Sequence, residues 1–153
     1  MAKIALIGCT SKKETFPCPA IELYAKSPLF RKELLYAKNV LKVDSIYILS
    51  AKHHLVRAEK VLSPYNETLN NASVCARKRW AEMVYNQIKK TIKQEDVLYL
   101  LCGQRYCEFL IPLLRKDKIS YYTPLYEDGK KKQIGELLSW LNKEIQKENG
   151  KSK

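Results

Sequence analysis

The segment 3-KIALIGCTSKK-13 joins an apolar run to a cluster of small, hydroxyl-bearing and cationic side chains. The run Ile4-Ala5-Leu6-Ile7 is typical of a buried β-strand. The residues that follow are too polar for a core, and their backbone N–H groups, hydroxyls and ammonium groups suit a phosphate or sugar oxygen. The loop is not a P-loop, because the second glycine and the Gly-Lys-Ser/Thr ending are absent. For Thr10 and Ser11, turn formation is the alternative role.

Three further apolar runs read as strands, at Ser45 to Ser50, Val97 to Cys102 and Ile119 to Thr123. Helical patterns follow or separate the four strands. They cover about Pro28 to Leu41, with Ser27 as the candidate N-cap, and about Ala76 to Lys93, with Ser73 as the candidate cap. A third covers about Arg105 to Arg115, where Pro112 is expected to shorten or bend the helix near its C-terminal end. The last helix has an apolar stripe of Ile134, Leu137, Leu138, Leu141 and Ile145. This alternation predicts the α/β class, as a three-layer αβα sandwich with a mainly parallel central sheet. One domain is expected over residues 1–148, with 149–153 as a disordered basic tail.

Parallel sheets bind ligands in the crevice beyond the carboxyl ends of their strands. The loops at that edge are Gly8 to Leu23, Ser50 to Asn71, Gly103 to Tyr106 and Thr123 to Lys132. The first two are the longest, and compact domains seldom keep long loops without a functional reason. The sequence therefore predicts a binding crevice between these two loops.

The composition points to an anionic partner. Lysine and arginine total 28 against 16 acidic residues, which gives a net charge of +12. Such a charge attracts nucleic acid, DNA in preference to RNA, although a lysine-rich solvated surface explains it equally well. The runs are too short to span a membrane, so a cytoplasmic protein without a membrane partner is expected, as a monomer or small oligomer.

Five cysteines, an odd number without disulfide-framework spacing, are expected to be reduced thiols in a cytosol. No C-x-x-C pair is present, so neither a metal nor another cofactor is expected. Convergence of Cys9, Cys18 and Cys102 at one sheet edge is the one route left open to a zinc or iron–sulfur site. Otherwise Cys9 and Cys18 are read as packing residues rather than reactive thiols.

Two segments carry side chains suited to chemistry. His53 and His54 follow the second strand, and imidazole titrates near neutral pH, so one of them is a candidate acid–base or ligand group. Downstream, the segment Ser63 to Asn71 offers an aromatic ring, amides and a carboxylate. Tyr65 is suited to stacking a base, Asn66 to reading its edge and Glu67 to positioning water; a packed, turn-rich loop is the alternative.

Six segments together resemble a family of small, mostly uncharacterised bacterial and phage proteins: GCTSKK, PCPAIELYAKSPLFRK, IYILSAKHHLV, PYNETLNN, LCGQRY and IGELLSWL. The second also resembles a pattern in the core domain of archaeosine synthase, which has a uracil-DNA-glycosylase-like fold; the matching residues are Pro17, Cys18, Tyr24 and Ser27. The resemblance implies the same fold and relatives that handle modified bases in nucleic acid. Glu22 and Phe30 replace a lysine and a histidine of that pattern, so transfer of the amino-acid-attaching reaction is not implied.

The chain also departs from its closer family. Relatives commonly read Lys-[Tyr/Phe]-Gly-Leu where this chain has Lys52-His53-His54-Leu55, and Pro-Tyr-Asp where it has Asn66. Asparagine cannot act as a general base, so Glu67 or Glu22 would have to supply a carboxylate.

The resulting hypothesis is a glycosylase-like enzyme that acts on a modified base in nucleic acid, in nucleic-acid modification or phage conflict. The alternatives are an enzyme on a free nucleoside or deazapurine and a non-catalytic nucleic-acid-binding stress protein. The candidate catalytic residues are Asn66, Glu67, Glu22 and His53. The candidate substrate-binding residues are Cys9, Thr10, Ser11, Lys12, Cys18, Tyr24, Ser27, Ser50, Lys52, Tyr65, Thr68, Gly103 and Gln104.

Overall fold

The computed structural model describes residues 1–127, 130–132 and 134–151. Its strands, in chain order, are β1 (Lys3–Gly8), β2 (Cys18–Pro19), β3 (Ser45–Ser50), β4 (His54–Arg57), β5 (Val61–Leu62), β6 (Val97–Leu101), β7 (Ser120–Tyr122), β8 (Tyr126–Glu127) and β9 (Lys130–Lys131). Its α-helices are α1 (Ala20–Leu23), α2 (Pro28–Leu35), α3 (Val74–Thr91), α4 (Gln104–Cys107), α5 (Leu110–Lys116) and α6 (Ile134–Lys151).

The central sheet has five strands in the order β4-β3-β1-β6-β7. Strands β3, β1, β6 and β7 are parallel to one another, and β4 is antiparallel to β3 at one edge. The prediction of an α/β protein with a mainly parallel sheet is confirmed. All four predicted strands are present, with the last shortened to Ser120–Tyr122.

Different helices cover the two faces of the sheet. On one face, Trp80 and Ile88 of α3 pack with Leu110 of α5 against the strands. On the other, Phe30 of α2 and Leu141 of α6 pack against alternate strand residues. Because side chains alternate between the faces of a strand, Leu6 belongs to the first core and Ile7 to the second, and β1 is buried on both sides.

The helices begin where their capping residues predict. Ser27 Oγ accepts a hydrogen bond from the N–H of Phe30, and Ser73 Oγ accepts one from Ala76. After α2, the chain continues as a π-helical segment over Tyr36–Leu41, so the predicted helix to Leu41 is present with a widened last part.

The predicted helix from Arg105 to Arg115 is wrong in one respect, since it is two short helices, α4 and α5. Pro112 was expected to bend the helix near its end. Instead it lies in the first turn of α5, where a missing N–H costs nothing because that group has no partner within the helix.

The long loop predicted from Ser50 to Asn71 contains β4, β5 and a 3-10 turn at Leu69–Asn71. Strand β5 pairs with β2 of the first loop, Cys18 opposite Leu62, so the two predicted crevice loops are joined to each other. Helix α6 extends to Lys151, into the segment 149–153 that was expected to be a disordered tail; residues 152 and 153 lie outside the described residues.

Candidate functional site

The crevice lies beside the end of β1, where the strand order changes direction. From β1 the chain moves to β3 on one side and later crosses to β6 on the other. Loops that leave neighbouring strands in opposite directions leave a gap between them, which is the usual ligand site of open α/β sheets. Two adjoining cavities fill this gap, and they are called the outer and the inner pocket below.

The outer pocket has a volume of about 380 Å³ and a polar lining. It brings together six residues that the sequence singled out: Cys9, Thr10, Ser11, Asn66, Glu67 and Thr68. The same wall contains four residues that were not chosen, which are Lys13, Asn70, Asn71 and Tyr106. The prediction that the first two loops form one crevice therefore matches this pocket.

Lys13, not the neighbouring Lys12, supplies the cation of the outer pocket. Its Nζ lies 4.6 Å from the ring centroid of Tyr65 and 5.9 Å from that of Tyr24. Burial lowers the pKa of this ammonium group, while Cys9 and Glu67 oppose the shift. The aromatic faces thus hold a partly desolvated cation in a pocket that Glu67 also lines.

Tyr24, Tyr65 and Ser50 form a buried hydroxyl cluster beneath the pocket. The Tyr24 and Tyr65 hydroxyls are hydrogen-bonded to each other, and Tyr65 Oη lies 2.8 Å from Ser50 Oγ. Burial raises the pKa of Tyr24 to about 12 and raises that of Tyr65 as well, so both phenols keep their protons at neutral pH. The two rings are 0% and 6% exposed. Because neither ring offers a free face, this structure does not present Tyr65 as the stacking platform expected from the sequence.

His53 lies at the margin of this cluster. Its backbone N–H donates to Ser50 Oγ at 2.9 Å, and its ring meets the Tyr65 ring edge-on at 5.5 Å. Burial lowers the pKa of His53, and the nearby cations Lys52 and Lys60 lower it further. The imidazole is therefore neutral at pH 7, outside the lining of the outer pocket.

His54 has a left-handed backbone, with φ of 65°. This conformation favours glycine, because a Cβ atom strains it. The resemblance predicted a glycine at this position, and the histidine here adopts a glycine-type conformation. The turn lets β4 fold back on β3, with His54 opposite Ser50.

Tyr106 connects the two pockets. Its hydroxyl accepts a hydrogen bond from Cys9 Sγ at 3.3 Å and one from the Leu69 N–H at 3.4 Å. Cys9, Thr10, Asn70 and Tyr106 line both cavities. The loop after β1, the 3-10 turn and α4 are thereby held around one crevice.

The inner pocket, of about 240 Å³, lies between the ends of β1 and β6. The strand-end residues Gly8, Leu101 and Gly103 line it together with Leu29 and Glu33 of α2. Glu33 is 3% exposed and was not chosen from the sequence. The other residues of its helix are apolar or cationic, and this pattern gives no sign of a pocket.

The chain matches a family of unknown function, DUF6884, over residues 4–143, from β1 into α6. The chain belongs to this family. No curated protein and no solved structure matches it. Membership confirms the expected uncharacterised family, and the relationship to archaeosine synthase stays a prediction.

Several predicted residues lie outside both pockets of this DUF6884 member. Glu22 is exposed on α1, and Ser27 is the buried cap of α2. Cys18 is buried in β2, and burial raises the pKa of its thiol, which favours the packing role. Lys12 and Lys52 are exposed, and Gln104 lines a separate depression of about 420 Å³ near β7.

The cysteines require a correction. Cys102 and Cys107 form a disulfide, whereas all five were expected as reduced thiols; Cys9, Cys18 and Cys75 are free. The chain turns at Gly103 between β6 and α4, which brings the two Cα atoms to 6.6 Å, within the range that a disulfide spans. A separation of five residues does not reveal this turn. Within the described ranges, no cluster of three or more histidine, cysteine or acidic side chains is arranged to hold a metal.

Two remaining findings concern the molecular surface. Among the described residues, no helix combines the length and apolarity that crossing a bilayer requires. A depression of about 310 Å³ lined by Lys89, Gln94 and Asp117 lies at the amino end of β6, away from the crevice. Ligand sites of parallel sheets lie at the other edge, so the candidate site is the pair of pockets at β1.

Proposed function

We propose that this protein binds a base of nucleic acid in the crevice at the end of β1 and hydrolyses the bond between that base and its sugar. The observation that carries the proposal is the outer pocket itself, in which Glu67 and Lys13 lie among amide and hydroxyl side chains at the carboxyl edge of the sheet. A carboxylate can act as a general base, and a cation and amide groups can hold a polar, oxygen-rich substrate beside it.

In this proposal, Glu67 orients a water molecule and accepts its proton as the water oxygen attacks C1′ of the sugar. The C1′–N bond breaks, and its electron pair stays with the base nitrogen. Glu67 then passes the proton that it accepted from water to the base. A carboxylate near C1′ also stabilises the positive charge that develops on the sugar. Asn66 cannot take up a proton, so its amide orients the water or the base edge.

Lys13, Thr10 and Ser11 are the proposed contacts of the sugar–phosphate part. Hydroxyl groups and an ammonium group donate hydrogen bonds to phosphate oxygens. Burial against the rings of Tyr24 and Tyr65 positions Lys13 Nζ and lowers its pKa, so binding an anion beside it strengthens its charge. Asn70 and Asn71 add donors and acceptors to the lining of the same pocket.

Nucleic acid is proposed as the partner because of the charge. The chain carries +12, and Lys12, Lys52 and Lys60 are exposed on the loops that surround the crevice. A pocket cannot enclose a base that is paired inside a duplex, so the base must be single-stranded or flipped out of its stack. A uracil-DNA-glycosylase-like fold is part of this proposal, and a parallel sheet with helices on both faces is compatible with it.

The test is base release from plain, uracil-containing, hydroxymethylated, glucosylated and deazaguanine-containing DNA and from tRNA, with free nucleosides alongside. The variants are Glu67→Gln and Asn66→Ala, and the matched control is Glu22→Gln, an exposed glutamate outside the pockets. Release from one polymer that is lost in Glu67→Gln and kept in Glu22→Gln supports the proposal. Release from nucleosides alone identifies a small-molecule enzyme. No release, with salt-sensitive binding of nucleic acid, identifies a binding protein.

A further inference from the structure

Lys13 places an amino group in the outer pocket, and the reaction proposed above uses only its charge. Among the described residues that line this pocket, it is the only lysine or arginine. Its Nζ lies 4.6 Å from the centre of the Tyr65 ring, and the Tyr65 phenol keeps its proton because burial raises its pKa. None of the ion pairs between described residues includes Lys13. Aromatic contacts therefore hold this amine, and no ion pair with a carboxylate occupies it.

The environment of Lys13 favours the neutral amine, which is the form that reacts as a nucleophile. The side chain is partly buried against Tyr24 and Tyr65, and burial lowers its pKa. A partly desolvated lysine attacks carbonyl carbons and forms an imine with them. The ammonium form still contacts phosphate, and the neutral form, which burial makes more abundant, is the reactive one. The adjacent Lys12 is exposed and lacks this environment.

Base release creates a carbonyl carbon for such an amine. Once the base has left, C1′ carries a hydroxyl group, and the sugar ring opens to an aldehyde at the same carbon. Glu67 lines the same pocket as Lys13, and its charge opposes the fall of the Lys13 pKa, so the two groups interact across the pocket. A sugar whose C1′ lies beside Glu67 therefore brings its aldehyde into the pocket that contains the amine.

We propose that Lys13 is the nucleophile of a second activity, cleavage of the DNA strand at the abasic sugar. This inference rests on the proposed function, in that its substrate is the sugar that base release leaves in the DNA. Nζ attacks the C1′ aldehyde, water leaves, and a protonated imine joins Lys13 to C1′. Glu67 takes a proton from C2′, the C3′–O bond breaks, and its electron pair leaves with the phosphate. Water then hydrolyses the imine, which restores the Lys13 amine and releases an unsaturated aldehyde.

The experiment is borohydride trapping on DNA that already contains one abasic site, so that base release is not required. Borohydride reduces the imine to a stable amine, which leaves the protein covalently bound to the DNA. The variants are Lys13→Arg, which keeps the charge but lacks the nucleophilic amine, and the matched control Lys143→Arg, an exposed lysine on α6. The wild type and the control are expected to form the cross-link and to cut the strand, and Lys13→Arg is expected to lose both. Mass spectrometry of the digested adduct should locate the added mass on Lys13.

The location of the cross-link decides the inference, because a protein with a net charge of +12 also traps aldehydes on its surface. A cross-link that persists in folded Lys13→Arg, or that maps to exposed lysines such as Lys12, overturns the inference. If Lys13→Arg does not fold, the mapping in the wild type gives the answer without a variant. Base release is measured in parallel: a cross-link at Lys13 without base release refutes the glycosylase alone, and base release without that cross-link refutes this inference alone.

Discussion

Tyr65 and Glu67 are two residues apart, yet they have opposite environments. Tyr65 is 6% exposed, and its hydroxyl is hydrogen-bonded to Tyr24 and Ser50. Glu67 is exposed and lines the outer pocket. The first residue closes the floor of the crevice by satisfying buried polar groups, and the second presents a carboxylate to whatever enters. Substitutions in the floor should therefore change stability, and substitutions in the wall should change activity.

The largest expected effect is the loss of activity from a substitution in the wall of the outer pocket. Glu67→Gln should lower the rate of base release by about 10²- to 10⁴-fold, the contribution typical of a general base. The free energy of unfolding should stay within about 0.5 kcal/mol of the wild type, as for other exposed positions. The rate is measured by product analysis and the stability by urea unfolding. A large loss of stability would show that Glu67 belongs to the floor.

The next largest effect is the loss of stability from a substitution in the floor of the crevice. Tyr65→Phe removes the hydroxyl that lies between Tyr24 and Ser50, and a buried group left without its partner costs about 1–3 kcal/mol. Urea unfolding should show this loss, whereas the exposed Tyr122→Phe should not. Equal stability of the two variants would contradict a structural role for the cluster.

Ser27 was predicted to contact the base, and the structure gives it the role of a helix cap. Ser27→Ala should cost about 1 kcal/mol of stability, and Ser73→Ala, which removes the same type of cap from α3, should cost a similar amount. Thermal unfolding of both variants makes the comparison. A Ser27→Ala variant of unchanged stability with weaker substrate binding would return Ser27 to the site.

Substitutions of His54 test the backbone strain in the turn beside the buried hydroxyl cluster. Since its φ is 65°, His54→Gly should relieve left-handed strain and stabilise the protein by up to about 1 kcal/mol. His54→Ala keeps a Cβ atom in the same conformation and should give no such gain. The melting temperatures of the two variants decide, and a gain in both would trace the effect to the imidazole rather than to the backbone.

The smallest expected effect is the pH dependence of the free energy of unfolding. Burial is the main cause that lowers the pKa of His53 and of His54 in the folded protein. The unfolded chain, with a histidine pKa of about 6.5, then binds more protons, so the free energy of unfolding should fall as the pH drops below about 6.5. Urea unfolding at pH 7.5 and pH 5.5 measures this fall, and His53→Gln should reduce it. An unchanged fall in that variant would exclude His53 as the cause.

Part of the candidate site was predictable from the sequence. The loop after β1 follows an apolar run that reads clearly as a strand, so Cys9, Thr10 and Ser11 were placed at the correct edge. Glu33 and Tyr106 were missed because each lies in a helix, where neither burial nor direction follows from the residue type. Lys12 and Lys13 are indistinguishable by sequence, and only the packing of Lys13 against two rings separates them.

The sequence by itself determined the α/β class, the parallel strands, the capped starts of α2 and α3, and the edge of the sheet that carries the crevice. These features follow from local patterns: apolar runs, helical periodicity and capping residues. Only the tertiary structure decided that Tyr24, Tyr65 and Ser50 share one buried network, that Cys102 and Cys107 are bonded, and that Glu33 lines the inner pocket. The physical reason is that each of these depends on the directions in which strands and helices bring side chains together, and burial is a property of that assembly and not of any one segment.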